Sequence, residues 1–149
     1  MDVAPVIAVI LAGLLTGSEL TSWGIVHPVL WKLEHQAQLR AEKLTYRRFA
    51  TVDPFLMTGT VAACFAAVGA FDGGDSSRLA LAAGGCFALM LTITLLGNMP
   101  INLRVLRWDE ERGDPGEWRR LRRRWDRLHT VRIVLDVAGF LLITLAVAT

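Results

Sequence analysis

Cysteine is scarce in this chain, with two residues among 149, which is too few for a disulfide scaffold. Cys64 and Cys86 lie in apolar stretches, where free cysteine usually behaves as a small packing residue. We expect packing, and a buried redox pair is the alternative. The sequence also lacks internal repeats, low-complexity tracts and a basic segment ahead of its first apolar stretch. The last absence argues against a cleavable secretory signal, so we expect the first stretch to be retained.

What the chain does contain is four long apolar stretches, within a composition that is 53% hydrophobic. They cover residues 3–30, 54–71, 79–103 and 131–148. Each can cross a hydrocarbon core of about 30 Å as an α-helix, which takes about 20 residues. The sequence therefore predicts an all-α integral membrane protein, a four-helix bundle that forms one domain over residues 1–149.

Positive charge is concentrated in two of the three connections between these stretches. Five lysines and arginines lie between the first and second stretches and ten arginines lie between residues 104 and 132, whereas the remaining turn holds only Arg78. The positive-inside rule then places both basic loops in the cytoplasm and both termini outside, in a multi-pass protein of the plasma (inner) membrane. We interpret the arginines of residues 119–127 as a topology signal and as contacts with anionic lipid. A nucleic-acid partner is not expected.

Three prolines predict where the helices are interrupted. Asp53 and Pro54 have the pattern of a helix start, with Asp as cap and Pro in the first turn. Residues 33–51 would then continue the first helix or form a short surface helix. Pro28 and Pro100 lie near the basic ends of their stretches, where each removes a backbone donor and disturbs the local hydrogen-bond ladder.

Strongly polar side chains occur inside the apolar stretches, mainly in the half next to the basic loops. An ionisable group at this depth costs a few kcal/mol unless it is paired or hydrated. Helical spacing places them in one stripe on each of three helices. The stripes are Glu19, Trp23 and His27 on the first, Asn98 and Asn102 on the third, and Trp125, His129, Arg132 and Asp136 on the fourth. We expect these stripes to face a pocket that opens toward the cytoplasm and is closed on the other side by apolar residues.

Two kinds of chemistry fit this pocket. Two histidines and a carboxylate can bind copper or iron, with His27, His129 and Glu19 as the ligands, although the chain has neither an HxxxH nor a Glu-x-x-His motif. The same side chains could work without a metal, with Glu19 or a histidine as base and the asparagines and an arginine stabilising an oxyanion. A purely structural role is the third interpretation, in which Glu19 only bonds a neighbouring helix.

The aromatic and charged members of the stripes are candidates for substrate contact. They are Trp23, Trp125, Arg132 and Asp136. For Asp136 a structural alternative is an ion pair with Arg132, four residues earlier on the same helix.

Several short segments carry a resemblance to a known family. Their residues are Gly17-Ser18-Glu19, His27-Pro28, the Asn-x-Pro-x-Asn segment of residues 98–102, and then Trp118, Trp125, His129 and Arg132. In these segments the chain resembles the anthrone oxygenase-like family of small membrane proteins, over essentially its whole length. The resemblance implies a four-helix membrane bundle, and some members oxidise electron-rich aromatic polyketides such as anthrones to quinones with dioxygen. It also implies that Glu19, His27, Asn98, Asn102 and His129 are site residues.

The resulting hypothesis is a membrane oxygenase with dioxygen as co-substrate and a small, apolar, electron-rich molecule as substrate. Two other classes remain open. One is a non-catalytic binding protein or a proton-coupled transporter that uses Glu19, and the other is a structural subunit of a membrane complex. The expected partners are the lipid bilayer and the substrate, and a homo-oligomer is left open.

Overall fold

The computed structural model describes residues 2–149 and contains four long helices, with no β-strand in that range. Helix α1 spans Val3–Leu30, α2 spans His35–Val68, α3 spans Gly74–Leu106 and α4 spans Pro115–Ala148. All four are long and apolar enough to cross a membrane, which confirms the predicted all-α membrane bundle.

The helices form an up-and-down bundle in which α1 packs on α2 and α4, and α3 packs on the same two helices. Residues 31–34 and 107–114 make the connections at one end, here called the basic end. The turn at residues 69–73 lies at the other end, called the terminal end, where Ser76 Oγ is 2.9 Å from Thr149 Oγ1. The turn needs glycine because Gly73 and Gly74 both have positive φ, of 89° and 73°. The side of the membrane that each end faces remains a prediction.

The bundle core divides into two apolar groups. The apolar cluster fills the terminal end with small and aliphatic side chains, namely Ala8, Ala12, Leu15, Met57, Cys64, Ala67, Ala80, Ala83, Phe87, Met90, Ile143 and Ala146. The aromatic cluster fills the basic end and comprises Leu39, Tyr46, Ile101, Val105, Trp118 and Trp125. The first group matches the predicted apolar closure of the pocket. Both cysteines are free, with Cys64 buried in the apolar cluster and Cys86 half-buried.

Helix α2 differs from the sequence prediction. It begins at His35 and runs without a break through Asp53 and Pro54, so the predicted helix start at these two residues is wrong. The reason is packing on both sides of the proline, because Leu39 and Tyr46 belong to the aromatic cluster and Met57 to the apolar cluster. These contacts offset the backbone hydrogen bond that proline removes.

Helices α1 and α3 each contain one wider π-helical turn. The turns cover Ser22–Val26 and Thr94–Asn98, and each ends within two residues of a proline, Pro28 or Pro100. Proline cannot donate to the carbonyl four residues earlier, so the ladder widens locally. The predicted disturbance is therefore present, and it falls where the first and third helices turn polar side chains inward.

Candidate active site

A cavity of about 190 Å³ lies between all four helices, at the boundary between the apolar and aromatic clusters. Most of its wall is apolar, and a few ionisable side chains converge on it. These are Glu19, His27, Asp53, His129 and Arg132. A mainly apolar cavity with a few convergent polar groups has the general character of a small-molecule site.

Glu19 is the acidic centre of the cavity. Its side chain is 5% exposed, and one carboxylate oxygen accepts a hydrogen bond from the Arg132 guanidinium. The other oxygen lies 3.4 Å from His129 Nδ1. Glu19 on α1 thus contacts two side chains of α4, which confirms that it faces the bundle interior within reach of the fourth helix.

The two histidines come together around one tryptophan. The ring centres of His27 and Trp125 are 4.4 Å apart, and those of Trp125 and His129 are 4.5 Å apart. The His27 and His129 rings are themselves 5.6 Å apart, nearly edge to face. Three aromatic rings from α1 and α4 therefore form one compact wall of the cavity.

Arg122 holds His27 from the side away from the cavity. Its guanidinium donates to the Tyr46 hydroxyl and lies 3.2 Å from His27 Nδ1. It also lies 3.4 Å from Glu42 and 3.3 Å from Asp126. Arginine can only donate, so His27 Nδ1 is the acceptor and a neutral His27 ring carries its proton on Nε2.

This network corrects the interpretation of the arginine-rich segment. Arg122 is 5% exposed and Glu42 is fully buried, so Arg122 is a bundle residue and not only a topology signal or lipid contact. A signal for it exists in the sequence, since a series of polar and aromatic residues that are buried in α4 recurs at alternating spacings of four and three. The series comprises Trp118, Arg122, Trp125, His129, Arg132 and Asp136. Arg122 fills the gap in that series.

Asn98 and Asn102 both form hydrogen bonds with Trp125. The indole Nε1 donates to Asn102 Oδ1 over 2.7 Å, and Asn98 Nδ2 donates to the Trp125 backbone carbonyl over 3.3 Å. Asn102 lines the cavity, whereas Asn98 does not and is fully buried. Both side chains therefore fix the position of the tryptophan against the two histidines.

Two residues predicted to contact substrate lie outside the cavity lining. Trp23 is 45% exposed and its indole donates to Thr130 on the bundle surface over 3.2 Å. Asp136 is fully buried, and within residues 2–149 neither of its carboxylate oxygens has a hydrogen-bond partner. The alternative pairing with Arg132 is absent because that guanidinium bonds Glu19 instead. Trp125 and Arg132 do line the cavity.

The donor set around the histidines does not match a three-ligand metal centre. No group of three His, Cys, Asp or Glu side chains in the described part of the chain could hold a metal ion. Glu19 is already paired with Arg132, and the Arg122 guanidinium lies against His27. The two arginines therefore already engage the Glu19 carboxylate and His27 Nδ1, two of the predicted metal donors. Metal binding by His27, His129 and Glu19 remains a prediction.

Comparison with known proteins gives the family. The sequence model described as anthrone oxygenase matches residues 43–142, which is more than half of the chain. The match includes Asn98, Asn102, Trp125, His129 and Arg132, and α1 lies outside it. No curated protein and no solved structure matches the chain. With this match across three of its four helices, the chain belongs to the anthrone oxygenase family.

Proposed function

We propose that this protein is a membrane oxygenase that oxidises a small, apolar, electron-rich aromatic substrate of the anthrone type with dioxygen. One observation carries the proposal. His129 is 2% exposed, lines the cavity, and has no hydrogen-bond partner on either ring nitrogen among residues 2–149. A buried imidazole with free nitrogens beside a carboxylate is equipped to take a proton from a bound molecule.

Glu19 and Arg132 prepare His129 for that role. The guanidinium fixes the Glu19 carboxylate, and the carboxylate lies 3.4 Å from His129 Nδ1. If Nδ1 carries the ring proton, Nε2 is left free as the base, and Glu19 stabilises the imidazolium that forms. Catalytic hydrogen bonds often tighten from such distances when substrate binds.

His27 supplies the complementary donor. Because Arg122 occupies its Nδ1, the Nε2–H of a neutral ring is available to an oxygen of the substrate. A hydrogen bond to that oxygen stabilises negative charge as the proton leaves carbon. His129 as base and His27 as donor are then 5.6 Å apart between ring centres, and both contact Trp125.

The reaction balances with dioxygen alone. His129 removes one proton from the ring methylene, and the electron pair delocalises into the aromatic system and its oxygen. Dioxygen accepts the electrons as a carbon–oxygen bond forms, and protonation gives a hydroperoxide on that carbon. Loss of water, with the second methylene hydrogen leaving as a proton, produces the carbonyl. The net change is CH₂ plus O₂ to C=O plus H₂O.

The bilayer provides a physical reason for placing such a site among membrane helices. An apolar substrate and dioxygen both concentrate in lipid, which raises their local concentration at the cavity. The apolar cluster also keeps water away from one side of the site, and this exclusion protects a reactive carbanion.

Oxygen consumption by the purified protein in lipid nanodiscs, with anthrone as the probe, tests the proposal. We expect His129→Ala to lower kcat by a factor on the order of 10²–10⁴, the usual contribution of a general base. His35→Ala is the matched control, since its ring lies against Trp118 and outside the cavity lining. Full activity of His129→Ala would overturn the assignment of the base, and anthrone binding without oxygen consumption would favour a non-catalytic binding protein.

Metal analysis of the same preparation tests the second chemistry. Stoichiometric copper or iron that is lost in both His27→Ala and His129→Ala would establish the predicted two-histidine metal site and overturn the direct reaction with dioxygen. Full activity without stoichiometric metal would support the direct reaction.

A further inference from the structure

The cavity is small for the substrate that its chemistry suits. Its volume of about 190 Å³ is below the range of roughly 300–1,000 Å³ that is usual for sites of drug-sized ligands. A three-ring molecule therefore needs space that continues beyond the cavity wall.

Such space exists on the outer surface between α1 and α2. One groove of about 540 Å³ shares Ser18, Phe49 and Asp53 with the cavity. A second groove of about 460 Å³ follows α1 past Gly17 and shares Ser18 and Phe49 with both. Because they share these residues, we call the two grooves together the α1–α2 groove. Phe49 is the side chain from α2 that borders all three spaces, so it stands between the groove and the cavity.

The walls of the α1–α2 groove suit an apolar molecule that arrives from lipid. Leu14, Leu44 and Val52 line it and are 60%, 63% and 59% exposed, as lipid-facing side chains of a membrane helix are. Gly17 leaves a gap in the wall, since a Cβ at that position would meet nothing within 4 Å. The groove is thus open, apolar and continuous with the site.

We propose that the α1–α2 groove is the entrance through which an apolar, planar substrate dissolved in the bilayer reaches the cavity, with the Phe49 ring as its gate. The identity of the substrate rests on the proposed function. The route itself does not, because it concerns access to the cavity by any apolar molecule. A lipid chain that occupies the groove permanently is the competing occupant.

Labelling of a single cysteine inside the cavity tests the route without turnover. The reporter is Thr94→Cys, which lines the cavity from α3, in a variant with Cys64 and Cys86 replaced by alanine. In phosphatidylcholine vesicles, a pyrene maleimide dissolved in the lipid probes access from the bilayer. A charged methanethiosulfonate reagent in the buffer probes access from water.

Filling the gap is the decisive perturbation. The Cβ of Gly17→Leu meets no atom within 4 Å, and the change replaces a poor helix former by a good one, so we expect a folded protein with an obstructed groove. Labelling by the pyrene reagent is expected to slow at least about tenfold, equivalent to about 1.4 kcal/mol in barrier height, and labelling by the charged reagent is expected to be unchanged. Phe49→Ala is expected to speed pyrene labelling.

Gly85→Leu is the matched control, because Gly85 is also an exposed helical glycine with open space around it and lies on α3, away from the groove. Unchanged pyrene labelling in both Gly17→Leu and Phe49→Ala would overturn the route and favour a groove filled by lipid. Labelling by the charged reagent that slowed in Gly17→Leu while pyrene labelling did not would place the entrance on the aqueous side. If the protein with the native groove is labelled by pyrene maleimide but does not oxidise anthrone, the proposed function is wrong and the route still stands.

Discussion

The Glu19–Arg132 pair offers the sharpest test of how this bundle tolerates charge. Both side chains are 5% exposed, and they join α1 to α4 beside the cavity. Removing one partner leaves the other charge buried and unpaired, which costs about 3–5 kcal/mol in protein interiors. An unpaired arginine near a bilayer centre costs about 2.5–3.5 kcal/mol on insertion scales. Glu19→Leu is therefore expected to lower the free energy of unfolding by about 3–3.5 kcal/mol, where these two ranges overlap.

The double variant separates the charge from its packing. Glu19→Leu with Arg132→Met removes both charges and keeps apolar volume, and such replacements are often neutral or stabilising. We expect the double variant to be more stable than either single variant, with a coupling energy of about 3 kcal/mol or more. Steric trapping in mixed micelles measures these free energies.

An exposed pair of similar chemistry provides the control. Asp75 and Arg78 are 3.2 Å apart and more than four-fifths exposed, and the corresponding changes there are expected to shift stability by less than about 1 kcal/mol. If the destabilisation in the Glu19 and Arg132 single variants simply added in the double variant, the buried pair would not be an energetic unit, and its proposed role in holding His129 would lose its support.

Two further predictions concern the two ends of the bundle. Hydrogen bonds to its side chain from Lys43 and from Arg40 lower the pKa of Glu110. This contact therefore stabilises the loop of residues 107–114 fully at any pH above the ordinary pKa of glutamate. The stabilisation is lost as the pH falls through the lowered pKa. Hydrogen-exchange protection of that loop should therefore drop in acid for the native chain. Glu110→Gln should show low protection already at neutral pH and no further drop in acid. Equal protection in both proteins at neutral pH would refute the contact. The predicted topology is checked by single cysteines in a cysteine-free background, where Ser76→Cys should label from outside intact cells and Gly116→Cys only after permeabilisation. The reverse pattern would invert the orientation.

The sequence carried enough information to predict the four helices, because twenty-residue apolar stretches leave few alternatives to membrane helices. It also placed Glu19, His27 and His129 in one region, since each lies on the polar stripe of its helix. Where the helix is regular, its periodicity decides which face a residue occupies, and the bundle buries the polar face around the cavity.

Contacts between segments that are distant in the sequence could not be predicted from helical periodicity. Residues 33–51 were predicted to continue the first helix or to form a short surface helix, yet residues 35–51 begin α2, and Glu42 is buried there beside Arg122, 80 residues later in the chain. Pro54 looked like a helix start because local preference favours it, and packing on both sides overrode that preference. Trp23 shares a stripe with Glu19, but the π-helical turn beginning at Ser22 changes the angular spacing, and the indole lies at the surface.

The one-sided distribution of charge in the bundle has an electrical consequence. The ionisable groups of the cavity lie between the apolar cluster and the basic end, so a proton moving between the cavity and the basic end does not pass the apolar cluster. Moving one elementary charge through the full membrane potential involves about 2.3 kcal/mol per 100 mV, and we expect most of that drop across the dry, apolar half. The proposed oxidation is therefore expected to be insensitive to membrane voltage, whereas a proton-coupled transporter would have to carry charge through the apolar cluster and would respond to voltage directly.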